Sequence, residues 1–177
     1  MKIGVLSDTH LAYTSGVLSS VKHVLRNKYT LEDLRQLLTR HFRAVELIIH
    51  AGDFVDVAVL EMLQEFAPVE AVQGNMDPAA IRARLPEQRI LELEGVTIGI
   101  THGNGGPQGI LERVKAVFKD KPVDAIVFGH THQPINERHE GILFFNPGSP
   151  TDRIFAPYNS LGILEITDKI ESSIIRL

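Results

Sequence analysis

Five short apolar runs in this chain each end in polar residues of the types that bind metal ions. Residues 2–6 run into Ser7-Asp8-Thr9-His10. Residues 45–50 run into Ala51-Gly52-Asp53, and residues 69–73 into Gly74-Asn75-Met76-Asp77. The run ending at Ile100 gives way to Thr101-His102-Gly103, and residues 124–128 to Gly129-His130-Thr131-His132. Short apolar runs bounded by turn residues read as buried strands. In open α/β sheets, ligands bind at the carboxyl ends of the strands. If these ends are adjacent, Asp8, His10, Asp53, Asn75, His102, His130 and His132 converge on one spot.

Between the runs lie helical patterns. In residues 31–42, Leu31, Leu34, Leu37, Leu38 and Phe42 follow a 3.6 period, and Thr30 with Asp33 makes a start signal of the capping-box kind. Residues 57–66 put Leu60, Leu63 and Phe66 on one face. Residues 107–118 do the same with Ile110, Leu111, Val114, Val117 and Phe118, with Pro107 in the first turn. Later, paired runs flank Glu94-Gly95 (88–93 and 96–101) and Glu140-Gly141 (133–138 and 142–146), and a third pair spans 161–166 and 170–176; these read as hairpins. The early βαβ texture and the later antiparallel texture together predict an α/β layered fold of mixed sheets with helices outside.

A chain of 177 residues is one domain's worth, residues 1–177, and is short for a (β/α)₈ barrel of about 250. No run reaches the roughly 18 apolar residues of a membrane helix, and MKIGVLSD enters a strand directly, so a cytoplasmic protein is expected. The absence of cysteine excludes disulfides, thiolate metal sites and cysteine nucleophiles. A net charge of −4 argues against binding nucleic-acid polymers through their backbone.

The converging set holds two Asp, one Asn and four His. Oxygen and imidazole ligands without sulfur suit divalent manganese, iron, zinc, cobalt or nickel. At about four protein ligands per ion, seven residues serve two ions if one carboxylate is shared. Gly52, Gly74, Gly103 and Gly129 stand beside these residues, as tight turns and close backbone approach require. Asp77 precedes Pro78 and reads either as a helix N-cap or as a group supporting a ligand or a water near the leaving oxygen; both roles are compatible.

The ordered set Asp8-x-His10, Gly52-Asp53, Gly74-Asn75-x-Asp77, His102 and Gly129-His130-x-His132 resembles the calcineurin-like metallophosphoesterase superfamily. With Asn146-Pro147-Gly148-Ser149 added, the chain is most similar to the small bacterial and archaeal phosphodiesterases of the YfcE type, over nearly its whole length. The resemblance implies a four-layer α/β/β/α sandwich of two mixed sheets. It implies one cation on Asp8, His10, Asp53 and His132 and another on Asp53, Asn75, His102 and His130, with Asp53 shared. Manganese is the common activator, with nickel, cobalt, zinc or iron able to substitute. A small phosphodiester substrate is implied, and a homodimer is the family-based expectation. Alternatives are a phosphomonoesterase, an acyl-cleaving metallohydrolase, and a non-catalytic scaffold of the same fold.

Two departures from the family pattern matter. Many members carry a proton-donating histidine after the Asn; here Met76 stands there and transfers no proton. The interval from Asp8 to Asp53 also holds a second helical pattern, with Val17, Leu18, Val21, Val24 and Leu25 on one face. It reads as a helix over the site's edge, a subunit contact, or an extra core helix.

The expected chemistry follows from charge. Two divalent ions against Asp8 and Asp53 leave a positive site in an acidic protein, and a metal can bring the pKa of bound water from 15.7 to about 7. A hydroxide shared by the two ions then attacks phosphorus in line with the leaving oxygen. Asp53, Asn75, Asp77 and His102 are the expected catalytic group, and Asn75, Asn146 and Ser149 the expected substrate contacts. Arg153 reads as a solvated surface residue in preference to a neutraliser of phosphate, and His50 as a buried histidine with a hydrogen-bond partner in preference to a group with a role behind Asp53.

Overall fold

The computed structural model describes residues 1–11 and 29–177. The helical pattern expected between 11 and 29 lies outside the described residues. Strands β1 (Lys2–Leu6), β2 (Leu47–His50) and β3 (Val69–Ala71) pair in parallel. Strands β9 (Ser160–Ile166) and β10 (Ile170–Arg176) extend this sheet in antiparallel fashion on the β1 side. The second sheet contains β4 (Gln88–Leu93), β5 (Val96–Thr101), β6 (Ala125–Val127), β7 (Ile135–His139) and β8 (Ile142–Asn146). Its order is β4-β5-β6-β8-β7, with β5, β6 and β8 parallel and the two edges antiparallel.

The three expected hairpins form as β4–β5, β7–β8 and β9–β10. Glu94-Gly95 and Glu140-Gly141 both take positive φ at each residue, the turn whose twist matches the flanking strands. Side chains alternate along each strand. From β1, Ile3 and Val5 point between the sheets, where they meet Ile98, Ile100, Val127 and Phe145 of the second sheet. Leu6 points the other way.

Helices α1 (Leu31–His41) and α2 (Val57–Gln64) cover that outer face, packing Leu34, Leu38 and Leu63 against Leu6, Ile48 and Ile163. The Thr30–Asp33 capping box forms at the start of α1. Asp56 caps α2, its side chain accepting from the Ala58 N–H. A short helix α3 (Ala79–Arg82) follows β3. Helix α4 (Ile110–Val117) covers the second sheet, with Ile110, Val114 and Phe118 on Ile126, Phe128 and Phe144. The result is the four-layer α/β/β/α sandwich. No helix among the described residues is long and apolar enough to cross a membrane.

Several boundaries differ from the periodicity by a few residues, and two of the shifts have a visible cause. β2 starts at Leu47 because the Val45 N–H is taken by the Phe42 carbonyl in the preceding turn. α4 starts at Ile110, leaving Pro107 outside it, because Gly109 enters in a left-handed conformation (φ 68°).

Candidate metal centre

The carboxyl ends of β1, β2, β3, β5 and β6 meet at one rim of the sandwich. The first sheet brings Asp8, His10, Asp53 and Asn75; the second brings His102, His130 and His132. All seven side chains come together. His132 Nε2 lies 3.3 Å from Asp8 Oδ1 and 3.2 Å from His10 Nε2. His10 Nε2 is 3.6 Å from Asp53 Oδ2, and His102 Nε2 is 3.4 Å from the same oxygen. Asn75 Oδ1 is 3.0 Å from His102 Nε2 and 2.9 Å from His130 Nδ1.

Among the described residues, two clusters have their donor atoms within 4.8 Å of one another: Asp8 with His10 and His132, and Asp8 with Asp53 and His102. Asp8 therefore belongs to both clusters, while Asp53 Oδ2 stands between His10 and His102. The centre of the site holds two carboxylates, where the family pattern singles out Asp53 alone as shared. His130 lies beside Asn75, outside both clusters.

Each imidazole of the second sheet is held by its outer nitrogen. His102 Nδ1 donates to the Ala51 carbonyl at 2.7 Å, His130 Nε2 to the Gly105 carbonyl at 2.9 Å, and His132 Nδ1 to Asp152 Oδ2 at 2.8 Å. These acceptors carry no proton, so the outer nitrogen must donate, and in the neutral ring the inward nitrogen keeps its lone pair. This is how ligating histidines are usually oriented. His10 and His132 turn two Nε2 atoms on one point beside Asp8, an arrangement a cation fits and a simple hydrogen bond uses poorly.

The electrostatics agree. Burial opposes ionisation of Asp8, but the close imidazoles of His10 and His132 and the charges of His102 and His132 hold its carboxyl far below the usual range. Burial likewise opposes ionisation of Asp53, and its contacts with His102 and the Met76 N–H outweigh that. Burial disfavours the charged forms of His102 and His132, yet Asp53 and Asp8 respectively push both up to about 9. His130 moves the other way, lowered by burial and by the neighbouring His102 charge. The protein thus places protonated imidazoles against its two carboxylates, a charge arrangement in which a metal cation replaces protons.

Such convergence needs an unusual backbone. Asp8, His10, Asp53, His130 and His132 all have left-handed φ, between 45° and 70°, as does Val55 at 73°. A β-branched residue there is a true outlier. Gly74 and Gly129 are required by close approach: a Cβ at Gly74 would sit 2.1 Å from Asp53 Oδ1, and one at Gly129 1.8 Å from Ser7 Oγ.

Buried polar residues hold this backbone, and they include three expected site residues. Asp77 does not cap a helix: α3 begins after Pro78 without a side-chain cap. Its carboxylate instead accepts from the N–H groups of Gly74 (2.8 Å), Val55 (2.8 Å) and Asp53 (3.1 Å). Asn146 and Ser149, expected against substrate, are wholly buried. Asn146 Nδ2 donates to the Gly129 carbonyl and the Thr131 hydroxyl, and its Oδ1 accepts from Gly148 N–H. Ser149 Oγ donates to the Asp8 carbonyl at 2.7 Å. Their polar atoms are consumed in shaping the turns, so neither reaches a ligand.

His50 is buried as expected. Burial pushes it down to about 3, so it stays neutral. Its Nδ1 accepts from the Gly52 N–H and its ring stacks on Phe54. Its protonated Nε2 therefore faces Thr9 Oγ1, which reaches the Asp53 carbonyl.

Three contributors escape the sequence reading. Asp152 holds His132; Arg82 grips the carbonyls of Asn75 and Asp77; Thr151 donates to the Thr9 carbonyl at 2.5 Å. Only Asp152 left a trace, its spacing of three from Ser149, whose hydroxyl accepts the Asp152 N–H.

The cluster opens into a cavity of about 470 Å³ lined by His10, Asp53, Asn75, His130 and His132 among others.

Comparison with known proteins places these features. The calcineurin-like phosphoesterase superfamily domain matches residues 1–169. A probable metallophosphoesterase of Methanothermobacter thermautotrophicus is 35% identical over 178 residues, covering 99% of this chain and 92% of that protein. A solved archaeal phosphodiesterase is 26% identical, with a TM-score of 0.71 and full coverage of both chains. The Vps29 protein of Entamoeba histolytica, as a single mutant, is 21% identical, with a TM-score of 0.72 over all of this chain and 99% of that one; at that identity it shares the fold.

Proposed function

This chain belongs to the calcineurin-like phosphoesterase superfamily, and from that premise we propose that it is a phosphodiesterase that hydrolyses a small phosphodiester with two divalent cations, manganese first among them. One cation would be held by Asp8, His10, Asp53 and His132, the other by Asp53, Asn75, His102 and His130, with Asp8 close to both. One observation carries the reading. Inward-facing donor atoms from both sheets converge, and the second sheet's imidazoles are locked by acceptors on their outer nitrogens.

Bound divalent cations polarise the phosphoryl oxygens and acidify water. The chain's own residues do the rest. Asp8 and Asp53 neutralise part of the cation charge and leave the site positive for a phosphate. His102, His130 and His132 stay oriented through Ala51, Gly105 and Asp152, so little reorganisation accompanies the reaction. Asp77 acts by fixing the loops of Asp53 and Asn75. Water oxygen bonds to phosphorus as the ester P–O bond breaks, the attacking water releases its proton to solvent, and the leaving oxygen departs with the bond's electron pair, without a proton from the chain. Met76, half exposed on the cavity, has none to give, which favours a diester with a stable leaving anion over a phosphomonoester.

The scaffold alternative draws on likeness of fold to Vps29; the complete ligand set favours the enzyme. Hydrolysis of bis-p-nitrophenyl phosphate with added manganese tests the choice. Absence of turnover with manganese, nickel, cobalt and zinc alike would leave the scaffold. Faster cleavage of carboxyl esters than of phosphate esters would point to acyl chemistry.

A further inference from the structure

The mouth of the cavity carries a second feature that hydrolysis at a metal centre does not call for. Five large apolar side chains are exposed among the described residues, and three of them, Met76 (55%), Ile154 (56%) and Phe155 (62%), line this one cavity. Exposed apolar groups clustered beside a polar site mark ligand surfaces. Resting on the phosphodiesterase reading, we propose that residues 152–156 form a recognition loop for the organic ester group of the substrate, and that this group is a planar aromatic ring.

The loop is built to hold its apolar side chains out. The Asp152 carboxylate accepts from the N–H groups of Ile154 (3.1 Å), Phe155 (2.8 Å) and Ala156 (2.7 Å). The same carboxylate accepts from His132 Nδ1 at 2.8 Å. The Asp152 N–H is bound by Ser149 Oγ, and its carbonyl by Asn159 Nδ2. One buried-side anchor therefore fixes both a candidate cation ligand and the two side chains that follow it. Ile154 and Phe155 keep a set position relative to the reacting centre while staying exposed.

The rings of Phe155 and His132 meet at nearly a right angle, with centroids 5.9 Å apart and planes at 78°. Phe155 nevertheless stays 62% exposed, so it offers ring surface to a second ring, and stacking of a flat group on an aromatic side chain tolerates different ring types. Met76 adds a polarizable surface to the same cavity. The volume, about 470 Å³, lies in the range of small organic ligand sites and leaves room for a ring beside a phosphate. The acidic residues lining it, Asp53 and Asp152, are both engaged by imidazoles, so the rim offers apolar contact without repelling an anion.

The test keeps the leaving group constant and varies the group retained on phosphorus. Methyl p-nitrophenyl phosphate, phenyl p-nitrophenyl phosphate and the p-nitrophenyl ester of thymidine 5′-phosphate all release p-nitrophenolate. With manganese, the full chain is expected to show a KM at least about tenfold lower for the two aromatic esters than for the methyl ester. Tenfold corresponds to ~1.4 kcal/mol, within reach of one buried ring face. Phe155→Ala should raise KM for the aromatic esters about tenfold more than for the methyl ester, and Ile154→Ala should act in the same direction.

A thymidine preference over phenyl would assign a nucleobase, the reverse a simple aryl group. Equal KM values for the three esters, or equal shifts in the variants, would overturn the proposal while leaving the phosphodiesterase reading intact. If none is hydrolysed, that reading fails. Calorimetric titration with phenylphosphonate against methylphosphonate then decides the loop. A tenfold phenyl preference lost in Phe155→Ala supports it, and equal affinities refute it.

Discussion

Replacing Asp77 with asparagine probes how the site is held. Asp77 Oδ2 accepts from the N–H groups of Asp53 and Gly74, and Oδ1 accepts from Val55. Asparagine keeps one oxygen. Placed on the two-donor side, it leaves its NH₂ facing the Val55 N–H, donor against donor. One unsatisfied buried N–H costs ~1–3 kcal/mol, and losing the charge weakens each of the two remaining bonds by ~1 kcal/mol. Against this, Val55 is released from its left-handed conformation (φ 73°), which returns ~1–3 kcal/mol. The net loss is ~2 kcal/mol, too little to unfold a domain stable by ~5–15 kcal/mol. The effect on the site is larger in proportion, because Val55, Asp53 and Gly74 shift together. Metal affinity should fall 10–100-fold, the usual cost of removing a group that orients ligands. Urea unfolding by circular dichroism in EDTA measures the first quantity, and manganese titration calorimetry the second. Unchanged stability together with manganese affinity within twofold would show that Asp77 does not position Asp53.

Four further outcomes are expected. Asp53→Asn removes the carboxylate between His10 and His102, so activity and dimetal content should both collapse; retained dimetal occupancy by elemental analysis would refute the assignment. Gly74→Ala drives a Cβ to 2.1 Å from Asp53 Oδ1, so metal affinity and melting temperature should drop together, and a variant that keeps both would contradict the close approach. In metal-free protein, His102 and His132 are raised to about 9 and His50 is lowered to about 3. The raised pair contributes stability below pH 6.5 that is lost as pH climbs through 9, whereas His50 costs stability as pH falls below 6.5. Melting in EDTA should therefore peak near pH 6.5 and fall toward pH 9, and a flat profile from 6.5 to 9 would show the two imidazoles to be neutral. Because Met76 donates no proton, turnover across aryl methyl phosphates should drop steeply with leaving-group pKa; a flat dependence would reveal another acid.

The sequence made the convergence legible because strand ends are where both turn residues and ligands must sit. Asp8, His10, Asp53, Asn75, His102, His130 and His132 could be read from position alone, since each follows an apolar run. The supporting residues could not. Asn146 and Ser149 look like substrate contacts in a Pro-Gly turn, yet their hydrogen bonds go to the backbone of Gly129 and Asp8, partners 17 and 141 positions away. Asp77 looked like a cap because Pro78 follows it, but three N–H groups, two of them more than twenty residues distant, compete successfully for its carboxylate. Asp152 showed only its spacing from Ser149, because its bond to His132, 20 positions away, is made by tertiary packing. Local signals such as the Thr30–Asp33 box and the Glu-Gly turns were recoverable because each partner lies within a few residues.

The division of labour between the sheets has a consequence for folding. The first sheet supplies both central carboxylates, and the second supplies His102, His130 and His132, with the His130 N–H donating to the Asp8 carboxylate across the gap. Neither sheet carries a complete site. The apolar layer between them brings the two halves together, and that same packing buries Asp8 completely. A buried carboxylate without a cation is costly, so protonated imidazoles take that role until a metal does. Cations that bind across the interface stabilise only the packed state. At a metal concentration a thousandfold above the dissociation constant this linkage is worth ~4 kcal/mol per bound ion, enough to outweigh the strain of one or two left-handed residues at ~1–3 kcal/mol each. The strained turns are therefore maintained by hydrogen bonds from Asp77, Asn146 and Ser149 in the absence of metal, and by the cation as well when it is bound.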